Sequence, residues 1–179
     1  MYRLKFKITG IAPILFNAWT DSAREKLDAG STGGKMSKED RIEEAHQKVY
    51  RNGKGLVLPS QNLESCLVAG ARKGGLKRGR AGLAAYLSAT VFCEERSLPF
   101  GVKEPDGIHE VMGTRGGNAC IIRRPILNEW SLGGLFLVAD ERMDPDQIKA
   151  ALGEAGLLVG LCDWRPKYGR FIVTEFGTA

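Results

Sequence analysis

GLLVGLCDWRPKYGRFIVTE, residues 156–175, is the stretch that most constrains the fold, because three local patterns follow one another in it. A helix is predicted to end at Gly156, since glycine commonly stops helical hydrogen bonding. A loop rich in glycine, cations and aromatic side chains comes next. Residues 170–176 then alternate as a strand, with Phe171 and Val173 on one face. The rest of the chain is predicted to form a scaffold that presents this loop.

The helix before the loop carries the clearest boundary signals in the chain. Asp144 is predicted as its N-cap, Pro145 fits the first helical position, and Gln147 is placed for a capping box. Apolar residues then follow at spacings of three and four: Ile148, Ala151, Leu152 and Ala155. This spacing predicts an amphipathic helix with one face on the core.

The N-terminal residues alternate between two kinds of side chain. One set is apolar: Tyr2, Leu4, Phe6 and Ile8. The other set is basic: Arg3, Lys5 and Lys7. The period of two predicts a strand with one buried face and one wet, cationic face. The wet face is interpreted either as solvated surface or as a sheet face near phosphates.

Five further segments complete a pattern of strands and helices. GLVLP, residues 55–59, leads to a helix with Ser60 as N-cap that runs to Lys73. A short helical turn over residues 82–87 and strands over 88–93 and 130–139 follow. The resulting order is strand, helix, strand, strand, helix, strand. It predicts an α+β, ferredoxin-like and RRM-like βαββαβ core whose helices leave one sheet face open.

Two irregular regions are predicted as insertions in a single domain that spans residues 1–179. The first, residues 18–55, contains a glycine-rich loop from Gly30 to Gly34 and a helix from Ser37 to about Arg51. It is predicted to be a mobile protrusion that becomes ordered against a partner. The second, residues 94–129, contains strands over 110–114 and 119–123 joined by the turn-prone GTRGGN.

The composition sets limits on the class of protein. The formal charge is +5, which is compatible with a polyanionic partner. The sequence has no apolar run long enough for a membrane span and no signal peptide, so a cytoplasmic protein without membrane contacts is expected. The four cysteines, Cys66, Cys93, Cys120 and Cys162, have no zinc spacing and are expected to be reduced and mostly buried. No cofactor and no metal is expected.

Cations and aromatic residues cluster in a way that suggests nucleic-acid binding. The cations are expected to hold phosphates, the aromatic rings to stack on bases, and the glycines to let backbone approach phosphate. Gly156, Gly160 and Gly169 are the glycines that this interpretation uses. The candidate binding residues are Arg72, Lys73, Lys77, Arg78, Arg80, Arg115, Arg123, Arg124, Trp164, Arg165, Lys167, Tyr168, Gly169 and Arg170.

Two stretches resemble RAMP proteins, the superfamily that builds CRISPR effector complexes. LVLPSQNLESCLVAGARKG, residues 56–74, resembles the proline-serine element that opens their first helix. The closing GLLVGLCDWRPKYGRFIVTEF resembles their glycine-rich loop and terminal strand, with the tyrosine-glycine-arginine-aromatic run at Tyr168, Gly169, Arg170 and Phe171.

The resemblance is greatest to the small backbone subunit that polymerises along CRISPR RNA. It implies an RRM-like core, a thumb-like insertion after the first strand, and a single-stranded nucleic acid, RNA before DNA, across the sheet and loops. It also implies that copies lie side by side along the strand, with other effector-complex subunits as further partners. The protein is then a non-sequence-specific binder and not an enzyme.

Three alternatives stay open at this point. The first is a phage or mobile-element relative that binds single-stranded DNA. The second is a RAMP-type endoribonuclease, with His109 or His46 as base or with Asp21 or Asp28 in the loop after the first strand. The third is a protein-docking mimic that inhibits a CRISPR complex. No P-loop, paired metal carboxylates or serine-hydrolase motif is recognised in the sequence.

Overall fold

The computed structural model describes residues 1–30 and 37–179, without the side chains of Lys26 and Arg115. The predicted α+β class is confirmed. The helices of the described residues are α1 (Asp21–Asp28), α2 (Lys38–His46), α3 (Ser60–Lys73), α4 (Leu83–Thr90) and α5 (Pro145–Leu158). The strands are β1 (Tyr2–Gly10), β2 (Ile14–Leu15), β3 (Arg51–Asn52), β4 (Gly55–Pro59), β5 (Lys77–Arg78), β6 (Ala81–Gly82), β7 (Val91–Cys93), β8 (Ser97–Pro99), β9 (Gly107–Arg115), β10 (Asn118–Leu127), β11 (Ser131–Val138) and β12 (Phe171–Thr178).

The largest sheet has the strand order β12-β1-β11-β7, and every neighbouring pair is antiparallel. The alternation predicted for β1 is confirmed: Leu4, Phe6 and Ile8 are fully buried and the basic residues between them are exposed. The rings of Phe6 and Phe136 stack in the buried layer, with centroids 4.3 Å apart. The opposite face of the sheet carries the cations of β1.

Helices α3 and α5 pack closely because small residues line their contact. A Cβ atom on Gly70 of α3 would lie 2.5 Å from the Ala155 backbone of α5. A Cβ atom on Gly156 would lie 2.2 Å from the carbonyl oxygen of Phe171 in β12. Glycine therefore allows both the helix pair and the contact between α5 and the sheet.

The outer strands of this sheet are protected from further pairing. On β7, the backbone N–H of Cys93 donates to the Glu64 carboxylate of α3 at 2.8 Å, which occupies a donor at the edge. On β12, the register against β1 shifts between Lys7 and Ile8, which marks a bulge. Charged groups and bulges are common ways of blocking edge-to-edge association.

The predicted hairpin in the second insertion is confirmed and is longer than expected. Strands β9 and β10, called the arm below, pair from Ile126 opposite Gly107 to Asn118 opposite Arg115. Gly116 and Gly117 form the turn with φ of 56° and 82°, as a two-residue hairpin with positive φ at both positions requires. β2 pairs with the other edge of β10 and ties the arm to the chain after β1.

Several predicted boundaries are wrong because tertiary contacts decide them. Ser60 is the first residue of α3 and not its N-cap, since its hydroxyl donates to Arg96 O at 3.0 Å. Asp144 is confirmed as the N-cap of α5, but the capping box at Gln147 is not formed, because that side chain donates to Lys77 O. Gly156 does not end α5, which continues to Leu158.

Two other segments differ from the sequence pattern. The strand predicted over residues 88–93 is confirmed only for its last three residues, because α4 continues to Thr90. The Thr90 hydroxyl donates to Tyr86 O at 2.8 Å, so a β-branched residue is accommodated at the helix end. α2 ends at His46 and not near Arg51, and the chain then turns so that Val49 is buried.

The first insertion contains α1 and α2 in place of the single predicted helix. Ser37 is confirmed as an N-cap, with a capping box to Asp40. The predicted glycine-rich loop lies, apart from Gly30, outside the described residues. No helix among the residues described has the length and apolar character needed to cross a membrane.

Candidate nucleic-acid interface

Residues 159–170, called the basic loop below, connect α5 to β12 and are fixed on both sides by backbone hydrogen bonds. Within the loop, Leu161 N donates to Gly169 O at 2.9 Å. Outside it, Gly169 N donates to Pro13 O at 2.8 Å and Asp163 N donates to Leu15 O at 3.0 Å. The segment that follows β1 therefore forms one wall of the loop.

The two glycines inside the loop, Gly160 and Gly169, are required by the packing of the loop itself, and their predicted approach to phosphate stays a prediction. Gly160 and Gly169 have φ of 77° and 71°, whereas Gly156 is helical. A Cβ atom on Gly169 would lie 2.0 Å from Leu161 O, and one on Gly160 would lie 2.8 Å from Tyr168 O. The space beside both glycines is thus occupied by protein backbone.

Two non-glycine residues of the loop also have left-handed backbone. Cys162 has φ of 61° and Trp164 has φ of 53°. This conformation costs roughly 1–2 kcal/mol for a residue with a Cβ atom. Such residues persist where the surrounding structure determines them, and they concentrate at functional sites. The side chain of Trp164 is therefore presented by a constrained backbone.

Three rings meet where the arm reaches the loop. The ring centroid of His109 on β9 lies 5.7 Å from that of Trp164 and 5.4 Å from that of Tyr168. The hydroxyl oxygen of Tyr168 lies 3.3 Å from Nε2 of His109, within hydrogen-bonding distance. All three residues are partly exposed. They form a cluster with aromatic surface and two adjacent polar atoms.

The basic loop that carries Trp164 and Tyr168 also carries three cations. Arg165, Lys167 and Arg170 are exposed, and no carboxylate pairs with them in the part of the chain that the structure describes. The Lys167 ammonium lies 6.0 Å from the centroid of the Tyr168 ring. These charges are therefore available to an anionic partner.

Two cations of the arm, Arg123 and Arg124, are already paired. Arg123 is 9% exposed, and its Nε donates to Glu110 at 2.5 Å. Arg124 Nε donates to the Asp163 carboxylate of the loop at 2.6 Å, which joins the arm to the loop. Arg115 lies in β9, and its side chain is not among those that the structure describes. Arg123 and Arg124 thus hold the architecture of the site.

The predicted cluster from Arg72 to Arg80 extends away from the basic loop. Lys73 Nζ donates to Leu158 O at 3.1 Å, whereas Lys77 O accepts from Gln147 at 3.4 Å. Leu158 and Gln147 stand at opposite ends of α5, roughly 16 Å apart at the helical rise per residue. The cluster therefore starts beside the basic loop at Lys73 and reaches the far end of α5 at Lys77.

Members of that cluster also differ in their surroundings. The Arg78 guanidinium lies 3.7 Å from the Tyr86 ring centroid and donates to Arg142 O at 3.3 Å. Arg72, Lys73, Lys77 and Arg80 are exposed. Arg78 therefore supports the local packing, and the other four are free to contribute to the surface charge.

The cationic face of β1 carries its own counterions. Arg3 pairs with Glu94 at 2.9 Å, and Glu175 of β12 lies 3.4 Å from Lys5 and 3.6 Å from Lys7. Lys5, Lys7 and Glu175 line a shallow recess of about 370 Å³ above Gly133. The open sheet face is therefore less positive than its sequence suggests.

Two thiols, Cys162 of the loop and Cys66 of α3, remain neutral. Burial raises the pKa of Cys162 to about 12, and the nearby Arg165 guanidinium opposes that shift. Burial likewise raises the pKa of Cys66 to about 12, again opposed by Arg165. All four cysteines are free thiols, as expected, although only Cys66 is fully buried. The thiols thus place no negative charge beside Arg165 at neutral pH.

Sequence reasoning missed two residues of this region and the exposure of a tryptophan outside it. His109 is considered only as a catalytic base, and Asp163 is not considered as part of the site. The contacts of His109 with Tyr168 and of Asp163 with Arg124 join residues distant in sequence, so no local pattern indicates them. Trp19 is 63% exposed, and no local pattern predicts that exposure.

No protein-family model matches the sequence, and no curated protein is significantly similar to it. Within the described residues, no group of three or more histidine, cysteine or acidic side chains is arranged to hold a metal ion. The functional assignment therefore depends on the geometry of the site.

Proposed function

We propose that this protein binds single-stranded nucleic acid through the basic loop, with RNA as the preferred strand. The observation that carries the proposal is the combination of three cations with two partly exposed rings. Arg165, Lys167 and Arg170 have no carboxylate partner among the described residues, and the rings are those of Trp164 and Tyr168. Cations that follow the phosphates and rings that stack on bases are the common elements of sequence-tolerant single-strand binding.

Each group has a defined part in this binding mode. The arginines and the lysine neutralise phosphates, which makes the affinity depend steeply on salt. Trp164 and Tyr168 offer ring surface for unstacked bases. The Tyr168 hydroxyl and His109 Nε2, which lie 3.3 Å apart, are polar groups that can recognise a 2′-hydroxyl. This last feature is the reason to name RNA before DNA.

The proposal extends to the fold and the assembly. We propose a ferredoxin-like, RRM-like core, because the order β12-β1-β11-β7 with α3 and α5 as crossovers is that expected for a βαββαβ chain. A RAMP backbone subunit would bind copies of itself along the strand, together with other subunits of an effector complex. The helices α1 and α2 and the arm would then contact the strand or a neighbouring copy.

The test is binding to labelled oligonucleotides of about 30 nucleotides across a salt series, with the mass measured on the same samples. Single-stranded RNA, single-stranded DNA and duplexes are compared. We expect steep salt dependence, preference for single strands, tighter binding of RNA, and added protomers at regular increments of strand length. Equal weak binding of all ligands, or none at low salt, would exclude the proposal and favour a protein-docking role.

A second candidate function, RNA cleavage, is favoured by the position of His109 beside the basic loop. An imidazole next to a bound ribose can take the proton of the 2′-hydroxyl. The 2′-oxygen then bonds to phosphorus as the bond to the 5′-oxygen breaks and that oxygen takes up a proton. The products are a 2′,3′-cyclic phosphate and a 5′-hydroxyl. No metal is needed for these steps.

The two functions are separated by one variant. If the protein cleaves RNA, His109→Ala abolishes the cyclic-phosphate product, and binding of a 2′-deoxy analogue by the same variant shows whether the site is retained. If it only binds, the wild-type protein leaves labelled RNA intact over hours at 37 °C. Gel analysis of the end groups distinguishes this reaction from a contaminating nuclease, because contaminant activity persists in the variant.

A further inference from the structure

The three tryptophans lie in three different environments, and one of them has no assigned role. Trp130 is 6% exposed in the core, and Trp164 packs against His109 in the site. Trp19, at the start of the first insertion, is 63% exposed. A large aromatic ring left in water on a fixed backbone is a feature of binding surfaces, where such rings provide contact area with little loss of entropy.

The backbone around Trp19 is fixed at both sides. Phe16 N donates to Pro125 O at 2.9 Å, and Ala18 N donates to Lys48 O at 3.0 Å. Thr20 caps α1 by accepting from Ala23 N at 3.2 Å. Phe16, Ala18 and Thr20 are buried, whereas Asn17 and Trp19 between them are exposed. This strand-like alternation directs the Trp19 ring outward.

The segment that carries Trp19 is also the wall of the basic loop. Pro13 O and Leu15 O accept the hydrogen bonds from Gly169 and Asp163. Trp19 follows Leu15 by four residues, so its backbone lies within roughly 13 Å of that contact at the rise of an extended chain. A strand of a few nucleotides bound at the loop can span this distance.

We infer that Trp19 is a second stacking platform, which takes an unstacked base of the single strand bound at the basic loop. This inference rests on the proposed function. The surroundings of the ring fit a base better than a protein partner. Its outward neighbours are the amide Asn17 and the carboxylate Asp21, whereas a protein-docking surface needs a contiguous apolar patch. A base needs only one ring face, and its polar edge tolerates polar neighbours.

Tryptophan fluorescence tests the contact directly. The Trp164→Phe variant keeps a stacking ring at the loop and leaves Trp19 and the buried Trp130 as the emitters. On titration with a 20-nucleotide oligouridine RNA, we expect its emission to be quenched and the remaining emission to become less accessible to acrylamide. Unchanged emission and accessibility at an RNA concentration that saturates binding would overturn the inference.

Affinity measurements give an independent readout with a matched control. Trp19→Ala is expected to weaken RNA binding roughly tenfold, in the range for loss of one base-stacking contact, whereas Trp19→Phe retains the affinity to within about threefold. Leu27→Ala is the control, because Leu27 is a similarly exposed apolar residue of the same insertion, 65% exposed. It is expected to bind RNA as the wild type does.

The outcomes separate this inference from the proposed function. If the wild type binds RNA and Trp19→Ala binds equally well, Trp19 is not a stacking platform, although the loop remains a binding site. If Trp19→Ala changes the oligomeric mass and not the affinity for a short strand, the ring contacts protein, and the inference is again overturned. If the wild type binds no RNA, both proposals fail.

Discussion

Two sets of three cations in this protein differ in their counterions. Arg3, Lys5 and Lys7 of β1 lie opposite Glu94 and Glu175, with nitrogen-to-oxygen distances of 2.9–3.6 Å. Arg165, Lys167 and Arg170 of the basic loop have no such carboxylate among the residues described. The two sets carry equal formal charge, yet only the second is free to attract an anion. Local pairing therefore decides which basic segment is a candidate site.

The comparison also explains why acidic groups near the loop do not cancel its charge. Asp163 is the carboxylate within the loop, and it is occupied by Arg124 at 2.6 Å. The neighbouring thiols of Cys66 and Cys162 are neutral because burial raises the pKa of each to about 12. On the sheet face, by contrast, Glu94 and Glu175 are carboxylates placed directly over the cations.

The largest effect is expected on the free energy of unfolding, from a substitution that disrupts the basic loop without altering its charge. Gly169→Ala would place a Cβ atom 2.0 Å from Leu161 O at a residue with φ of 71°. We expect it to lower the free energy of unfolding by about 3 kcal/mol, since backbone clash and left-handed strain combine. Thermal and denaturant unfolding followed by circular dichroism measure the change.

The control for this variant is Gly177→Ala in β12. No heavy atom lies within 4 Å of the position its Cβ would take, and its φ is not positive. We expect Gly177→Ala to leave stability unchanged or to raise it by about 0.5 kcal/mol. Equal effects of the two variants would show that the loop backbone tolerates displacement and that its geometry does not determine the site.

The next prediction compares the two cation sets directly, by removing the charges of each set in turn. The triple variant Arg165→Gln, Lys167→Gln, Arg170→Gln is expected to weaken RNA binding roughly a hundredfold, as charged hydrogen bonds to phosphates are lost. The log–log salt slope should become shallower by about 2, from about 0.7 for each single-strand phosphate contact. Fluorescence anisotropy over a salt series measures both.

The matched control is the triple variant Arg3→Gln, Lys5→Gln, Lys7→Gln. It removes the same formal charge from a set that is paired, so we expect a loss of affinity of about threefold or less. A loss as large as that of the loop variant would mean that net charge alone attracts the strand. A larger loss would move the binding site to the open sheet face.

The sequence predicts the local features of this molecule well and its long-range contacts poorly. The alternation of β1, the N-cap Asp144 and the arm with its glycine turn follow from local rules, and all are confirmed. The contact between His109 and Tyr168, 59 residues apart, follows from none. The contact between Glu175 and Lys7 likewise follows from no local rule. Cations can thus be found from sequence, but their counterions cannot.

Glycine illustrates the same limit. Sequence alone indicates that Gly160 and Gly169 allow unusual backbone, and their positive φ confirms this. Whether the missing side chain makes room for a ligand or for the protein depends on tertiary structure. Here Leu161 O and Tyr168 O fill the space. Arg123 and Arg124 teach the corresponding lesson, because only tertiary structure shows that Arg123 joins the two strands of the arm through Glu110 and that Arg124 joins the arm to the loop through Asp163.

A smaller effect is expected from the thiols that stay neutral beside the loop. Because burial raises the pKa of Cys162 to about 12, the folded protein keeps this proton at pH values where the unfolded chain, with an ordinary pKa near 9, loses it. The free energy of unfolding should therefore fall as pH rises above about 9. Cys162→Ala should make the alkaline decline shallower; an unchanged decline would assign it to other groups.

The smallest effect is expected from a variant that removes the counterion of two β1 cations. Glu175→Gln removes the carboxylate that lies 3.4 Å from Lys5 and 3.6 Å from Lys7, and leaves both ammonium groups on the open face. We expect RNA binding at 50 mM salt to tighten about twofold to threefold and the gain to disappear at 300 mM, because exposed charges are screened.

Glu129→Gln changes the net charge equally at an exposed position with no ion pair to β1, so it should show no gain. Equal gains in the two variants would mean that net charge, and not the pairing of β1, sets the difference between the two cation sets.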